Sequence, residues 1–504
     1  MGSQSWENIV VDGRWLIGAP VEIPGAEEEA PRGVQAGASR ARRLRQGFKE
    51  SIERRSREMP QQGDTERVLG EVDELRDELV EAVSQAVRIE SVNPKYTGQV
   101  YEDVVGGEGQ VSRFVSKVYE DLGCEVDLFA VEEGRDNCVG VWKGTGGGQS
   151  LIYNGHVDVV PPGDPTNWRS GSPWSGKVDE DRIWGRGSTD MKGGVLAQAF
   201  AAQAIRRAGF GLEGDLILEA VVGEEVMDHE CGVTATVKRG YTADAAVVSE
   251  PSAPPHPLAV VPVTPGLFWF SVTVRGKPTH ASMRAQLIRA GGAGETVGVN
   301  AIDNGLFIMN AIRQLEEEWG QSKRHELFAP GHFTIHPGVV IGGPKQVLVP
   351  FIVSEYMTIE YACWYHPEEE PEAVKREIEQ HIERVSQLDP WLRKHSPEVE
   401  WKLNWPASVV SPSHPICDAV SGAHEQASEG TRFAGRPPVQ GFAAVEDASF
   451  LNAGGIPAIS YGPGDLRAAH ADDEYVPIDE LLAATKTYAL LAMDWCGYTS
   501  AFGG

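Results

Sequence analysis

The stretch Ser150–Gly163, SLIYNGHVDVVPPG, decides the fold. An apolar run ends in His156 and Asp158, and two prolines follow at once. A short apolar run bounded by turn residues reads as a buried strand of a sheet covered on both faces. His156 and Asp158 stand two residues apart, so on a strand both side chains leave from one face. They fall at the strand's C-terminal end, the edge where open α/β sheets build their sites. A His beside an Asp at a strand end is more often structural than catalytic, so its meaning depends on what else reaches that edge.

Outward from this strand, helix-like and strand-like segments alternate. Glu66–Pro94 carries apolar residues three and four apart and is predicted as one amphipathic helix closed by Asn93-Pro94. GQVSRFVSKVYEDLG reads as a helix, CEVDLFAV and NCVGVWKG as strands, and MKGGVLAQAFAAQAIRRAG as a helix rich in small residues. DLILEAVVGEE and DAAVVSEP are further strands. This rhythm predicts an α/β domain. Near Pro262–Pro265 the character changes. GLFWFSVTVRG alternates as a half-exposed strand, and a helix, two strands, a helix and the strand EVEWKLNW follow. That order predicts an inserted α+β domain of ferredoxin-like type. The expected organisation is an N-terminal extension over 1–65, a first catalytic segment over 66–262, the insertion over 263–411, and a second catalytic segment over 412–504. Within the extension, the basic Ser39–Glu58 is predicted as a solvated helix.

Composition narrows the function. The 504 residues exceed one ordinary core. Net charge is −28, from 45 basic against 73 acidic residues, which disfavours nucleic acid and anionic membranes as partners. No apolar run is long enough to span a bilayer. The six cysteines are scattered, and the opening residues lack a basic-then-apolar leader, so the expectation is a cytoplasmic protein with reduced thiols.

Four further segments offer metal-competent side chains. GRGSTDMKGG, Gly185–Gly194, places Asp190 at a turn before a helix, with glycines on both sides. VVGEEVMDH, Val221–His229, puts Glu224 and Glu225 at a strand end, where adjacent carboxylates repel unless a cation joins them. VVSEPS offers Glu250, and LRAAHADDEYV offers His470. Each is ordinary alone: a helix cap, a loop acid, a solvated Glu, a histidine bonded to backbone. Together, two imidazoles and three carboxylates on one sheet edge match a two-zinc site with a bridging carboxylate.

The set GHVDVVPPG, WGRGSTDMKGG, GEE, SEP, GKPTHAS and AHADDEYV, in that order, resembles the zinc amidohydrolases and peptidases of the M20 type. These include acetylornithine deacetylase, succinyl-diaminopimelate desuccinylase, aminoacylase and carboxypeptidase G-like enzymes. The resemblance spans roughly Glu66 to the C-terminus. It implies a mixed-sheet zinc-peptidase catalytic domain with an inserted lid and dimerisation domain. It further implies two divalent metal ions, zinc before cobalt or manganese. Their ligands would be His156, Asp190, Glu225, Glu250 and His470, with Asp190 bridging and its peptide to Met191 cis. Asp158 would orient His156, and Glu224 would be the general base. His280 in GKPTHAS would reach the partner subunit's site in a homodimer. The implied reaction is hydrolysis of an N-acyl, N-formyl or N-carbamoyl amide of a small molecule.

Two positions depart from the family pattern. Trp364 stands where many relatives carry a carboxylate-binding Arg, and Ser449 stands where a second Arg follows a GTDAR-like motif. Arg467, near His470, is the candidate replacement. Losing both guanidinium forks removes a bidentate grip on a carboxylate. The expected substrate is therefore not a plain N-acyl-α-amino acid. A dipeptidase or carboxypeptidase on the same scaffold is the alternative enzyme. A non-catalytic binding protein would have lost Glu224 or a ligand, and none is lost.

Overall fold

In the computed structural model the strand Leu151–His156 lies near the middle of a nine-stranded mixed sheet. Parallel to it run Leu216–Val221 on one side, and Ala245–Val248 then Ala458–Ser460 on the other. Antiparallel strands flank this parallel centre. Asp136–Trp142 and Glu125–Ala130 extend one side. Val260–Thr264 extends the other, pairing with Ser408–Val409 and Val439–Gly441. The structure describes residues 61–252, 256–288, 294–345 and 349–500. The unit Met1–Met59 contributes a ladder of Val10–Val11 on Arg14–Trp15, and the helix expected at Ser39–Glu58 lies outside the described residues.

All six residues of Leu151–His156 are buried because both faces of the sheet are covered. Leu151 and Tyr153 pack on one face with the helices Gly193–Arg207, Pro415–Ala427 and Ile478–Cys496. Ile152 packs on the other with Val233, Phe450 and Leu451. The run of alanines in Gly193–Arg207, buried at Ala197, Ala199, Ala201, Ala202 and Ala204, lets that helix sit close between the sheet and its neighbours. The amphipathic segment predicted as one helix is two, Gln62–Glu74 and Arg76–Val87. They meet at Leu75, whose ψ of −4° departs from the helical value. Val68, Val72 and Leu75 face the core before the break, and Leu79, Val83 and Val87 after it.

The insertion is a four-stranded antiparallel sheet in the order Ile335–Gly342, Tyr356–Tyr365, Gly266–Arg275, Glu398–Trp405. The helices Ala301–Ser322 and Pro371–Ser386 cover one face, where Met357, Ile359, Tyr361, Cys363 and Tyr365 alternate into a separate core. The order is ferredoxin-like. Val260–Thr264 and Ser408–Val409 pair with each other in the large sheet, so the chain crosses between domains at Pro265 and again at Pro406-Ala407. Among the described residues, no helix is long and apolar enough to cross a membrane.

Candidate metal centre

The strand ends and turns of the large sheet bring five predicted ligands together. His156 Nε2 lies 3.1 Å from Asp190 Oδ1 and 3.4 Å from Glu250 Oε1. His470 Nε2 lies 3.3 Å from Asp190 Oδ2 and 3.0 Å from Glu225 Oε2. The two oxygens of one carboxylate, Asp190, thus face two different imidazoles. Glu224 Oε2 stands 3.9 Å from His156 Nε2, in the same group as Glu250. Asp190 and Glu250 are buried, Glu224 and Glu225 nearly so, and the residue His470 closes the group from a loop.

Backbone geometry explains how each group is aimed. Gly187 takes φ +83°, a conformation open mainly to glycine, at the head of the turn Ser188–Lys192. The Asp190-Met191 peptide within that turn is cis. Gly223, at φ +93°, would place a Cβ 2.6 Å from the Asp228 carbonyl, so the Glu224–Val226 turn closes only on glycine. His470 itself sits at φ +60°, which costs a non-glycine residue about 1 kcal/mol. Glu474, four residues on, holds that loop in place. Its Oε1 accepts from the backbone N–H groups of Gly187, Thr189 and Asp190, and its Oε2 pairs with buried Arg186. One carboxylate therefore ties the His470 loop to the Asp190 turn. Burial pushes the Glu474 carboxyl up to about 7 against the Arg186 charge. Lys192 donates to the Ala86 and Ile89 carbonyls and pins the same turn to the helix Arg76–Val87, and burial pushes its amine down to about 7.

Asp158 acts on His156 differently from the expectation. His156 Nδ1 is 2.9 Å from the Asp158 backbone carbonyl and 3.7 Å from its carboxylate. The carboxylate instead accepts from Asn93 Nδ2 at 2.8 Å and from the Glu225 backbone N–H at 3.2 Å. Asp158 thus joins the His156 strand to the Glu225 turn, and its carbonyl fixes the ring. The turn has a second anchor. Asp228 pairs with Arg135 at 2.6 Å and Lys95 at 2.8 Å, and Arg135 also forks onto buried Glu108.

The remaining predicted residues lie apart from the five ligands. His280 is exposed on the insertion, where Nδ1 lies 2.8 Å from Ser282 Oγ. Arg467 is exposed and forks onto Asp465. Ser449 is buried in the helix Ala448–Ala453, and its Oγ has no hydrogen-bond partner among the described residues. Trp364 is half-buried on the strand Tyr356–Tyr365, packed against the apolar cluster that includes Ala448 and Phe450, with its indole N–H likewise unpartnered. Sequence reasoning passed over Glu474 and Arg186, although both stand inside quoted motifs. It also passed over Asn93, Glu108, Arg135 and Asp228, whose partners lie far away in sequence.

The electrostatics are those of a cation site. Burial opposes a charge on His156, while the His470 side chain is half exposed, and the surrounding carboxylates raise both imidazoles' pKa. Burial, and the Glu250 and Glu225 charges, push Glu224 up against the pull of His156. Among the described residues no lysine or arginine bonds to Glu224, Glu225 or Glu250. Imidazole nitrogens and carboxylate oxygens converging without such a partner are a donor set suited to zinc and similar divalent ions.

A parallel-centred sheet with acids and imidazoles gathered at its strand ends, and a ferredoxin-like insertion, defines a hydrolase of metallopeptidase architecture. The chain belongs to peptidase family M20/M25/M40, which it matches over residues 152–494. It is 32% identical over 438 residues to the N-formyl-4-amino-5-aminomethyl-2-methylpyrimidine deformylase of Halalkalibacterium halodurans, covering 86% of this chain and 97% of that protein. The Bacillus subtilis protein of the same name is 32% identical over 398 residues, covering 77% and 89%. Among solved structures, the Saccharomyces cerevisiae di-peptidase Dug1p superposes with a TM-score of 0.63 at 13% identity, covering 86% of this chain and 98% of that one. At that identity the likeness concerns the fold alone.

Proposed function

We propose that this hydrolase removes the formyl group from an amino-substituted, pyrimidine-type N-formyl amide, using two divalent cations, zinc before cobalt or manganese. The observation that carries the two-cation reading is Asp190, whose two oxygens face His156 and His470 separately. The substrate class rests on the deformylases, which align with most of the chain. It also rests on the absence, among the described residues, of a guanidinium bonded to the cluster, since Arg467 is committed to Asp465.

His156, Asp190 and Glu250 would hold one ion, and His470, Asp190 and Glu225 the other. Bound there, the cations would acidify a water and polarise the amide carbonyl. Glu224, beside His156 but without a hydrogen bond, takes the proton of the attacking water and delivers it to the departing nitrogen. The C–N bond breaks, giving formate and a free amine. Glu474 and Asp158 keep the three turns in register.

The direct test is formate release from N-formyl-4-amino-5-aminomethyl-2-methylpyrimidine. Activity is expected to vanish on chelation and return with zinc, cobalt or manganese, at two equivalents per chain. No formate release by the metal-loaded enzyme defeats the substrate reading, and full activity after complete metal removal defeats the two-cation reading.

A second copy completes the site in this proposal. The insertion's edge strand exposes Val339, Val340 and Ile341, and the helix beginning at Ala301 exposes Ile302, Leu306 and Phe307. An exposed apolar edge strand invites pairing with another strand, and a two-fold pair would make the contact isologous. His280 of each chain would then serve the other chain's site as the donor to the developing oxyanion. Ile341→Asp is expected to convert a dimer to a monomer in light scattering and to abolish turnover with bound metal retained. A wild-type enzyme that is active as a monomer overturns this part.

A further inference from the structure

Beside the cluster, the loop before the helix Ala448–Ala453 carries two buried acids, Glu446 and Asp447. Glu446 is committed to structure. Its carboxylate accepts from Ser460 Oγ, and its backbone carbonyl accepts from Trp405 Nε1 at 3.1 Å. Asp447 is not. It is 2% exposed, yet neither carboxylate oxygen has a hydrogen-bond partner among the described residues. The charged groups that act on it most are His156, Asp158, Glu250 and Glu219, an imidazole and three acids, of which His156 and Glu250 are candidate ligands. The buried cations among the described residues are engaged elsewhere: Arg135 with Glu108 and Asp228, Arg186 with Glu474, and Lys192 with the Ala86 and Ile89 carbonyls.

The place of Asp447 is as informative as its lack of partners. The helix it precedes meets the acid-bearing turn through Phe450, which stacks on His229 at 3.6 Å. The same Phe450 meets Trp405 of the insertion edge-on at 4.8 Å. The helix that Asp447 precedes therefore packs, through Phe450, between the insertion and the segment that follows the Glu224–Glu225 turn. Three further unpartnered polar atoms belong to this region, Glu446 Oε1, Ser449 Oγ and the Trp364 indole N–H. A buried carboxylate left without a donor is costly, by more than an ordinary hydrogen bond recovers. Its natural complement is a ligand that brings two N–H groups and positive character.

Resting on the deformylase reading, we propose that Asp447 is the specificity-determining carboxylate of this site. It would receive the ring nitrogen and exocyclic amino group of an amino-substituted azaheterocycle as a bidentate pair, with Ser449 beside it. A planar amidine-like edge offers two parallel N–H donors when its ring nitrogen is protonated, the geometry a carboxylate accepts best. A pocket built to hydrogen-bond its ligand discriminates strongly against an isostere lacking those groups.

The test is a binding measurement, so it does not depend on turnover. Calorimetry on the metal-loaded enzyme compares 4-amino-5-aminomethyl-2-methylpyrimidine with benzylamine, which lacks the ring nitrogens and ring amine. The wild type is expected to prefer the aminopyrimidine by roughly 100-fold, and Asp447→Asn to lose most of that preference with metal content retained. Ser449→Ala, a smaller change, is expected to reduce the preference by roughly fivefold and stands in if Asp447→Asn does not fold. A preference that survives in the variant obtained, or an Asp447→Asn enzyme that has lost a metal ion, overturns the assignment. Failure of the deformylase reading shows separately, as no formate release by the wild type.

Discussion

Glu224→Gln is expected to lower kcat on an N-formyl substrate by roughly 10³-fold while both metal equivalents remain bound. The substitution keeps the side chain's length and shape and removes the lone capacity that matters, accepting a proton. Glu224 lies 3.9 Å from His156, beyond hydrogen-bonding reach, whereas Glu250 lies 3.4 Å away and Glu225 is 3.0 Å from His470. In the proposed mechanism those two carboxylates hold the cations and Glu224 handles protons. Its buried position and acidic neighbours raise its proton affinity, as a base must have if it is to take a proton from water. The measurement pairs steady-state kinetics with elemental analysis of the same sample. Loss of one metal equivalent would make Glu224 a ligand, because it shares a group with His156 and Glu250. Retention of activity would remove it from the chemistry altogether.

The parts of this fold that were legible in the sequence are those that local periodicity encodes. Leu151–Tyr153 announced a strand buried on both faces, and both faces are covered. The alternation in Gly266–Arg275 announced a half-exposed strand; Phe268, Phe270, Val272 and Val274 do enter the insertion's core, but on the other face only Trp269 and Arg275 are exposed. Leu75 shows the limit of periodicity: the apolar spacing runs through it unbroken, but the backbone bends there to keep both halves against the core.

The site was legible as residue types and not as bonds. His156, Asp190, Glu225, Glu250 and His470 are drawn from ends of different segments, and only the three-dimensional sheet shows Asp190 turned with one oxygen to each imidazole. Asp158 was read from its spacing as the group orienting His156, but a backbone carbonyl performs that task and the carboxylate holds the Glu225 turn. No spacing rule reports which atom of a residue is used. Arg467 was read from its nearness in sequence to His470, but Asp465, two residues away, takes its guanidinium. Glu474 and Arg186 are 288 positions apart, and neither carries a local signal that names the other.

Arg135→Ala is expected to destabilise the catalytic domain by about 3–5 kcal/mol and to lower turnover as well. Arg135 is fully buried and forks onto Glu108, itself fully buried, at 2.7 and 2.9 Å. Removing the guanidinium leaves that carboxylate with no cation, and Arg135→Lys, lacking the planar fork, restores little. The loss depends on pH with a definite sign. Even beside Arg135, burial pushes Glu108 from 4.5 up to about 7. A carboxyl with a raised folded-state pKa favours the fold most below its unfolded value and loses that contribution as pH rises through the folded one. The defect of Arg135→Ala is therefore smaller near pH 5 than near pH 8, where the buried Glu108 carboxyl must either ionise without a cation or stay protonated against the solvent. The double variant Arg135→Met with Glu108→Leu separates stability from positioning. Replacing both partners with apolar groups of similar volume recovers most of the stability. It does not recover the bond from Arg135 to Asp228, which anchors the turn three residues beyond Glu225. Thermal melts should thus approach wild type while kcat stays low. A double variant that regains both would mean that Lys95, the other cation on Asp228, holds the turn unaided.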